Sequence, residues 1–279
     1  ADIPQKVDLA VIATRAELVP DVMTDCIKAG VRSAAVISGG FTEGGRRDLQ
    51  DRIVRIATDA NFPFIGPNCL GVYVPFKVDT FFLPLERMIK PESGGVTFVS
   101  QSGGILVDHM IKFAEQGVGM AKAISIGNKA FIKEKELLDY LVHEPATKVI
   151  AYYIEGFGEG EGREFVQAAD RSPKPVIIMK SGKTAAGNRA VSSHTASLAG
   201  DYASFSAAIA QHNILEAQNE QELVSFCEVL STYTKPIEGN IGIITGSGGH
   251  GAMAVDACSI AGLKVPELSD ETKTAVKNN

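Results

Sequence analysis

Residues 95–116, GVTFVSQSGGILVDHMIKFAEQ, read as a strand, a glycine turn and a helix in immediate succession. Gly95–Val99 is a short apolar run rich in β-branched and aromatic residues, Ser100–Gly104 has turn chemistry, and Ile105–Gln116 carries apolar residues at helical spacing. The same alternation continues downstream. Strands are expected at Ala121–Ile126, Val149–Ile154 and Val176–Met179 and around Ile214 and Leu215, with helices near Lys135–Val142, Arg163–Ala169 and Glu220–Leu230. Upstream, strand runs at Val7–Ala13, Ser33–Ile37 and Pro63–Ile65 are separated by helical runs at Val19–Ala29 and Arg47–Ala60. Continuous apolar strands alternating with helices predict an α/β fold, with parallel sheets covered on both faces.

Two breaks divide the chain. Pro84–Ser93 carries charge, Pro91 and no apolar period, and reads as a linker. After Pro236 a further strand at Ile241–Thr245, a glycine turn at Gly246–Gly251 and a helix at Ala252–Ala261 repeat the logic of the SQSGG unit. Three parts are therefore expected, over residues 1–87, 91–236 and 239–279. Only six residues precede the first strand, so the opening strand, glycine turn and helix of a doubly wound nucleotide-type domain are missing. One strand and one helix do not make an independent domain either. Both ends are expected to lie inside larger domains.

The bulk numbers narrow the function classes. A chain of 279 residues, 45% hydrophobic and 22% charged, has ordinary globular composition. A net charge of -6 gives no general attraction to nucleic acid or to an anionic membrane, and neither partner is expected. No window approaches the roughly eighteen uninterrupted apolar residues of a membrane-spanning helix. Cys26, Cys69, Cys227 and Cys258 lie far apart, with no paired spacing that would suggest a metal site or a disulfide framework. They read as thiols of a reducing compartment, the cytoplasm.

The longest stretch without apolar period is Lys180–Gly200, KSGKTAAGNRAVSSHTASLAG, read here as an irregular segment. Connections in compact domains have a median of roughly four to six residues, so a polar segment of this length is either functional or disordered. Gly182, Lys183 and Thr184 resemble the end of a phosphate-binding P-loop, but Ile177 stands where that motif requires glycine. Near the far end His194 sits among Ser192, Ser193, Thr195 and Ser197, where it is either a phosphate-handling imidazole or a solvated capping residue.

Ligands of parallel α/β sheets bind beyond the carboxyl ends of the strands, so the loops there are the candidate site. Ser102, Gly103 and Gly104 open a helix whose free amides and dipole suit an anion, although Ser102 also suits a simple cap. Ser247, Gly248 and Gly249 open a second such helix. Glu155 follows the third strand of the middle part, on the same rim; alone it would read as a solvated rim charge. Ser38–Gly45 (SGGFTEGG) and Gly66–Gly71 (GPNCLG) allow close approach of a ligand to backbone, or merely turn the chain. Cys69 has no histidine near it in sequence and reads as a buried thiol.

GPNCLG, SQSGG, the strand-end Glu155 and SHTASLAG, in that order and spacing, resemble the alpha side of the nucleoside-diphosphate-forming acyl-CoA synthetases. The resemblance covers almost the whole chain, and HTASLAG with the upstream KSGKT is its most specific part. It implies a truncated Rossmann-like CoA-binding domain, then a flavodoxin-like ligase domain, then the start of a second ligase domain. It implies that His194 carries a phosphoryl group between an acyl phosphate and a nucleotide, that Glu155 orients it, and that Ser102, Gly103 and Gly104 with Ser247, Gly248 and Gly249 receive the phosphate. Glu43 and Asn68 would line the CoA site. The resemblance also implies CoA as substrate, an oligomer, no resident metal in this part, and an ATP-grasp domain or subunit elsewhere that holds ATP or ADP with Mg. Phe131 departs from the family's acidic residue after GNKA, which puts the shape of that loop in question. The alternatives are a CoA-sensing module of an acyltransferase fusion, whose relatives tend to lose the loop histidine, and a non-catalytic CoA-binding module in which His194 is a cap.

Overall fold

The computed structural model describes residues 5–84, 88–194, 202–212, 214–233, 235 and 239–277. The chain separates into two compact units, Ala1–Thr234 and Lys235–Asn279.

The larger unit begins with β1 (Leu9–Ile12), α1 (Val19–Lys28), β2 (Ser33–Val36), α2 (Arg47–Asp59) and β3 (Phe64–Ile65). The three strands form a parallel sheet in the order β1-β2-β3. Met23 of α1 and Leu49, Ile53 and Ala57 of α2 pack with Ile12, Val36 and Phe64 in one buried cluster. The apolar spacing read from Arg47–Ala60 is therefore the core face of α2.

The chain then turns back through β4 (Gly71–Val74) and β5 (Val78–Asp79) before β6 (Ser93–Ser100), α3 (Gly103–Glu115), β7 (Met120–Ser125), α4 (Glu134–Leu141), β8 (Val149–Ile154), α5 (Glu161–Asp170) and β9 (Val176–Lys180). It closes with α6 (Ala185–His194), α7 (Tyr202–Ala210), β10 (Leu215–Ala217) and α8 (Glu220–Thr232). The second sheet has seven strands in the order β10-β9-β8-β6-β7-β4-β5. From β10 to β7 neighbours are parallel; β4 runs antiparallel to β7, and β5 antiparallel to β4. The parallel part has the flavodoxin-like order 2-1-3-4-5.

Alternate residues of its strands serve opposite faces, which is why they read as continuous apolar runs. Phe98 and Ala151 join Leu106, Met110 and Phe113 of α3 and Leu223, Val224 and Cys227 of α8 on one face. Val99, Ile150 and Tyr152 join Leu138 and Leu141 of α4 and Phe165 of α5 on the other. The middle of this unit is thus a three-layer fold, built as its sequence pattern predicts.

Three expectations are corrected. The strand β4 was not anticipated: Gly71–Val74 lies within residues 1–87 but pairs with β7, Gly71 opposite Ser125 and Tyr73 opposite Ala123. Its partner is some fifty residues away in sequence, and a short GVYV run with a glycine carries little local signal. Second, the segment after β9 is not irregular throughout, because α6 occupies Ala185–His194. Thr184 accepts the Gly187 amide at its hydroxyl (3.0 Å), and Asn188 donates its amide to the Thr184 carbonyl (2.7 Å), so Thr184 starts the helix. The lack of an apolar stripe concealed a helix made of alanine and small polar residues.

Third, in the smaller unit Ile241–Thr245 forms no strand, although α9 (Gly248–Ile260) follows as expected, with α10 (Asp270–Lys277) after it. Among the described residues the backbone of this segment meets only Lys264, whose carbonyl accepts the Ile241 amide at 2.8 Å. An extended run needs a ladder partner to become a strand. Ile244 and Met253 are exposed accordingly.

No helix among the described residues is long and apolar enough to cross a membrane. No group of three or more His, Cys, Asp or Glu among them could hold a metal ion.

Candidate active site

The order of the second sheet places its switch point between β6 and β8, the neighbouring strands from which the chain leaves in opposite directions. Ligands of doubly wound sheets bind at such a point, beyond the strand ends. Here Ser100 lies opposite Tyr153, so the turn carrying Ser102–Gly104 and the strand end carrying Glu155 are side by side.

The turn is tightly set. Ser100 Oγ accepts the Ser102 amide (3.1 Å) and donates to the Ser102 carbonyl (2.6 Å), while Ser102 Oγ accepts the Ile105 amide (3.4 Å). Ser102 is therefore the N-cap of α3. The amides of Gly103 and Gly104, in the first helical turn, have no intrahelical acceptor. A Cβ on Gly103 would stand 2.9 Å from Leu70 Cγ, so a side chain there would need Leu70 to shift.

Glu155 follows directly on β8, half-buried. Its amide donates to Gln101 Oε1 (2.7 Å), as does that of Gly156 (3.1 Å). Its carbonyl accepts from Lys180 Nζ (2.7 Å), which also donates to the Ser181 carbonyl. Burial lowers the Lys180 pKa to about 8, with the Glu155 charge acting in the opposite direction. Beside it, the Tyr153 hydroxyl titrates higher than usual, chiefly because it is buried and further because the Glu155 carboxylate is near.

His194 is the last residue of α6; its side chain, and Thr195–Asp201, lie outside the described residues. In the smaller unit, Ser247 occupies the N-cap position of α9 but makes no capping hydrogen bond with its side chain. Thr245 Oγ1 instead accepts the Ser247 amide at 3.2 Å, and a Cβ on Gly248 would meet nothing within 4 Å.

The loops expected to line the CoA site come together on one residue that sequence reasoning did not single out, Asn128. Asn68 Nδ2 donates to Asn128 Oδ1 (3.3 Å), and Asn128 Nδ2 donates to Glu43 and to Thr42 Oγ1 (3.1 Å). Glu43 also accepts the Gly40 and Phe41 amides, at 2.6 and 3.2 Å. Burial opposes ionisation of Glu43, but the hydrogen bonds from Asn128 and from this backbone prevail and lower its pKa. The carboxylate thus shapes its own loop. Asn68 adopts φ 58°, a left-handed conformation that asparagine tolerates well. Cys69 is a buried thiol whose Sγ contacts the Val36 carbonyl at 3.3 Å. Burial raises its pKa to about 12, so it is protonated and no nucleophile.

Between these loops and the turn that opens α3 lies a cleft of about 330 Å³, with Thr42, Arg47, Gln50, Gln101, Asn128 and Lys129 among its walls. Phe131, the departure noted in the loop beyond it, stacks on Phe64 with ring centroids 5.4 Å apart and fastens that loop to the first core. Lys129 is enclosed by Glu134 (3.1 Å) and Glu161 (3.0 Å), and Lys133 binds Glu161 at 2.6 Å. Against the opposing effect of burial, these lysines and the Gly158 amide hold the Glu161 pKa at about 2. A carboxylate so depressed adds stability above its unfolded value of 4.5 and loses it as pH falls toward 2. Glu161→Gln is expected to lower stability at pH 7 by about 1 to 2 kcal/mol, the side chain being partly exposed. Denaturant melts at pH 7 and pH 3 check this: the gap from wild type should narrow at pH 3.

Two family models match in tandem along this architecture. The model of a CoA binding domain matches residues 1–75, and that of a succinyl-CoA ligase like flavodoxin domain matches residues 93–230. The chain belongs to the NDP-forming acyl-CoA synthetase family. Among its relatives, an acetate–CoA ligase (ADP-forming) I of Archaeoglobus fulgidus is 39% identical over 279 residues, spanning 99% of this chain and 40% of the relative. The alpha subunit of acetate–CoA ligase (ADP-forming) I of Pyrococcus furiosus is 34% identical, spanning 98% of this chain and 59% of that subunit. A solved structure titled as dinucleotide forming acetyl-coenzyme A synthetase 1 of Ca. Korarchaeum cryptofilum, in complex with phosphate and ADP, superposes with a TM-score of 0.88 at 34% identity. That match covers 99% of this chain and 60% of the other. The synthetase relatives are thus longer than this chain, which spans from 40% to 59% of the curated ones named here.

Proposed function

We propose that this chain is the CoA-binding and phosphoryl-carrying part of an ADP-forming acyl-CoA synthetase, which converts acyl-CoA, ADP and phosphate into the free acid, ATP and CoA. The observation that carries the reading is the juxtaposition of Glu155 with the N-terminus of α3 at the switch point, in a chain matched by both family models. Phosphate attacks the thioester carbonyl; the C–S bond breaks, CoA leaves as the thiol, and an acyl phosphate forms. An imidazole nitrogen of His194 then attacks phosphorus, the P–O bond to the acyl group breaks, and the acid leaves as its carboxylate. Phosphohistidine passes the group to ADP.

Imidazole suits this work because it is nucleophilic near neutral pH and releases the phosphoryl group again. Glu155 is the acceptor that fixes its tautomer and balances the charge that develops on phosphorylation. The Gly103 and Gly104 amides with the α3 dipole, contributing about 0.3 to 1 kcal/mol when exposed, supply donors that need no rotamer ordering. Ser247, Gly248 and Gly249 offer a second helix terminus. We assign to the remainder of the synthetase an ATP-grasp domain or partner subunit that holds ADP and Mg, and we place the whole in the cytoplasm as an oligomer.

Incubation of the whole synthetase with labelled ATP tests the reading. Acid-labile, base-stable label on the peptide containing His194 is expected, and its absence overturns the proposal. Glu155→Gln is expected to slow labelling by about 10²-fold while the melting temperature changes little, since one orienting carboxylate is lost at a strand end. Equal loss of folded protein would remove Glu155 from this role. A CoA-sensing module without ligase activity would take no label at all.

A further inference from the structure

The end of β8 is held by a side chain from each of the two strands that flank it. From the β6 side, Gln101 is 6% exposed and places Oε1 on the amides of Glu155 (2.7 Å) and Gly156 (3.1 Å). Its Nε2 donates to the Gly156 carbonyl (2.9 Å) and to the Glu134 carboxylate. Its own amide donates to the Tyr153 carbonyl at 3.2 Å. From the β9 side, Lys180, also 6% exposed, donates to the Glu155 carbonyl at 2.7 Å.

We propose that Gln101 is a positioning residue for phosphoryl transfer: by gripping the backbone of Glu155 and Gly156 it fixes the carboxylate relative to the α3 N-terminus, with Lys180 bracing the same residue from the other side. This rests on the role given to Glu155 above. The chemistry of the grip selects a neutral amide. Two amide hydrogens converge on Oε1 while a carbonyl and a carboxylate converge on Nε2, so the donor and acceptor ends of Gln101 are not interchangeable. Glutamate would set a second anion against Glu134 and the Gly156 carbonyl; methionine would take the Oε1 acceptor away from the Glu155 and Gly156 amides. Glu134 is in turn fixed by Lys129 at 3.1 Å, so the amide is clamped from behind.

Because Gln101 immediately precedes the cap Ser102, its grip makes the carboxylate and the helix terminus one rigid edge. Displacement of a reacting group by about 1 Å costs roughly 10²-fold in rate. Gln101→Glu and Gln101→Met in the whole synthetase are expected to slow single-turnover labelling of His194 about 10- to 100-fold per folded molecule. Combined with Glu155→Gln, either should add little further slowing, since it acts through that carboxylate. Additive slowing, or wild-type labelling per folded molecule, overturns the inference. A purely structural role would lower the melting temperature and leave that rate unchanged. If the variants do not fold, hydrogen exchange of the wild-type Glu155 and Gly156 amides decides: protection is expected, and exchange as fast as in free peptide overturns the inference. Absence of an effect of Glu155→Gln on its own would instead remove the role of Glu155, a separate failure.

Discussion

Replacing His194 with alanine in the whole synthetase is expected to abolish ATP formation from acyl-CoA, ADP and phosphate, a fall of at least ~10³-fold. The reason is chemical: on the proposed route the imidazole is the group that takes phosphorus from the acyl phosphate, and every later step depends on that transfer. Alanine is the strongest helix former, so α6, which ends at residue 194, should survive the change. The step before the histidine should survive too. With arsenate in place of phosphate, the acyl arsenate hydrolyses spontaneously, and release of CoA thiol reports thioester cleavage alone. His194→Ala should keep this arsenate-dependent thiol release near the wild-type rate while losing ATP formation. Retained ATP formation would remove the carrier role, and loss of both activities would indicate damage to the CoA site.

The largest expected effect on stability comes from Gly127→Ala. Gly127 has φ 52°, and a Cβ built there stands 2.2 Å from the Asn68 carbonyl oxygen and 2.3 Å from that of Pro67. Both neighbours are backbone, so no rotamer change relieves the overlap. The loop it belongs to is sewn to the end of β3 by three backbone hydrogen bonds: the Asn128 amide donates to the Pro67 carbonyl (2.9 Å), that of Ala130 to Gly66 (3.0 Å) and that of Ile132 to Phe64 (3.2 Å). Separating the two segments would break these bonds and disperse the Glu43, Asn68 and Asn128 cluster. A loss of about 3 kcal/mol or more is expected, combining left-handed strain with overpacking. For a domain of this size that lowers the melting temperature by roughly 6 to 12 °C. Gly104→Ala is the control, since its Cβ would meet nothing within 4 Å and its φ is not left-handed. A melting temperature for Gly127→Ala equal to that of this control would refute the steric account.

What the sequence made legible follows the range of the forces involved. The alternation from Ser93 to Thr232 was readable because apolar strand runs, helical spacing and glycine turns are local signals, and the rule that ligands bind beyond the carboxyl ends of parallel strands then put Glu155 on the same rim as Ser102–Gly104. Strand β4 was not readable, because its pairing with β7 depends on a distant partner. Nor was α6, whose start rests on the Thr184 cap rather than on amphipathic spacing; the TxxG arrangement at Thr184 and Gly187 was the available signal. Asn128, Gln101 and Lys180 were passed over for a different reason. Amides and lysines are common on surfaces, and only their hydrogen bonds show that Asn128 joins the loops of Asn68 and Glu43 and that Gln101 and Lys180 hold the backbone of Glu155. The direction of the Glu43 carboxylate depends on two amides of its own loop and on Asn128, three hydrogen bonds that no spacing encodes.

The return of Gly71–Val74 onto the edge of the larger sheet bears on how synthetases of this kind can be recombined. A chimaera that takes its CoA-binding module from one parent and its ligase module from another, joined in the Pro84–Ser93 linker, would graft the foreign pair β4 and β5 onto Met120–Ser125. Crossovers placed just after Ile65 would instead leave that pair with its native host, so module boundaries for protein shuffling should be drawn from sheet membership and not from the proline-containing linker.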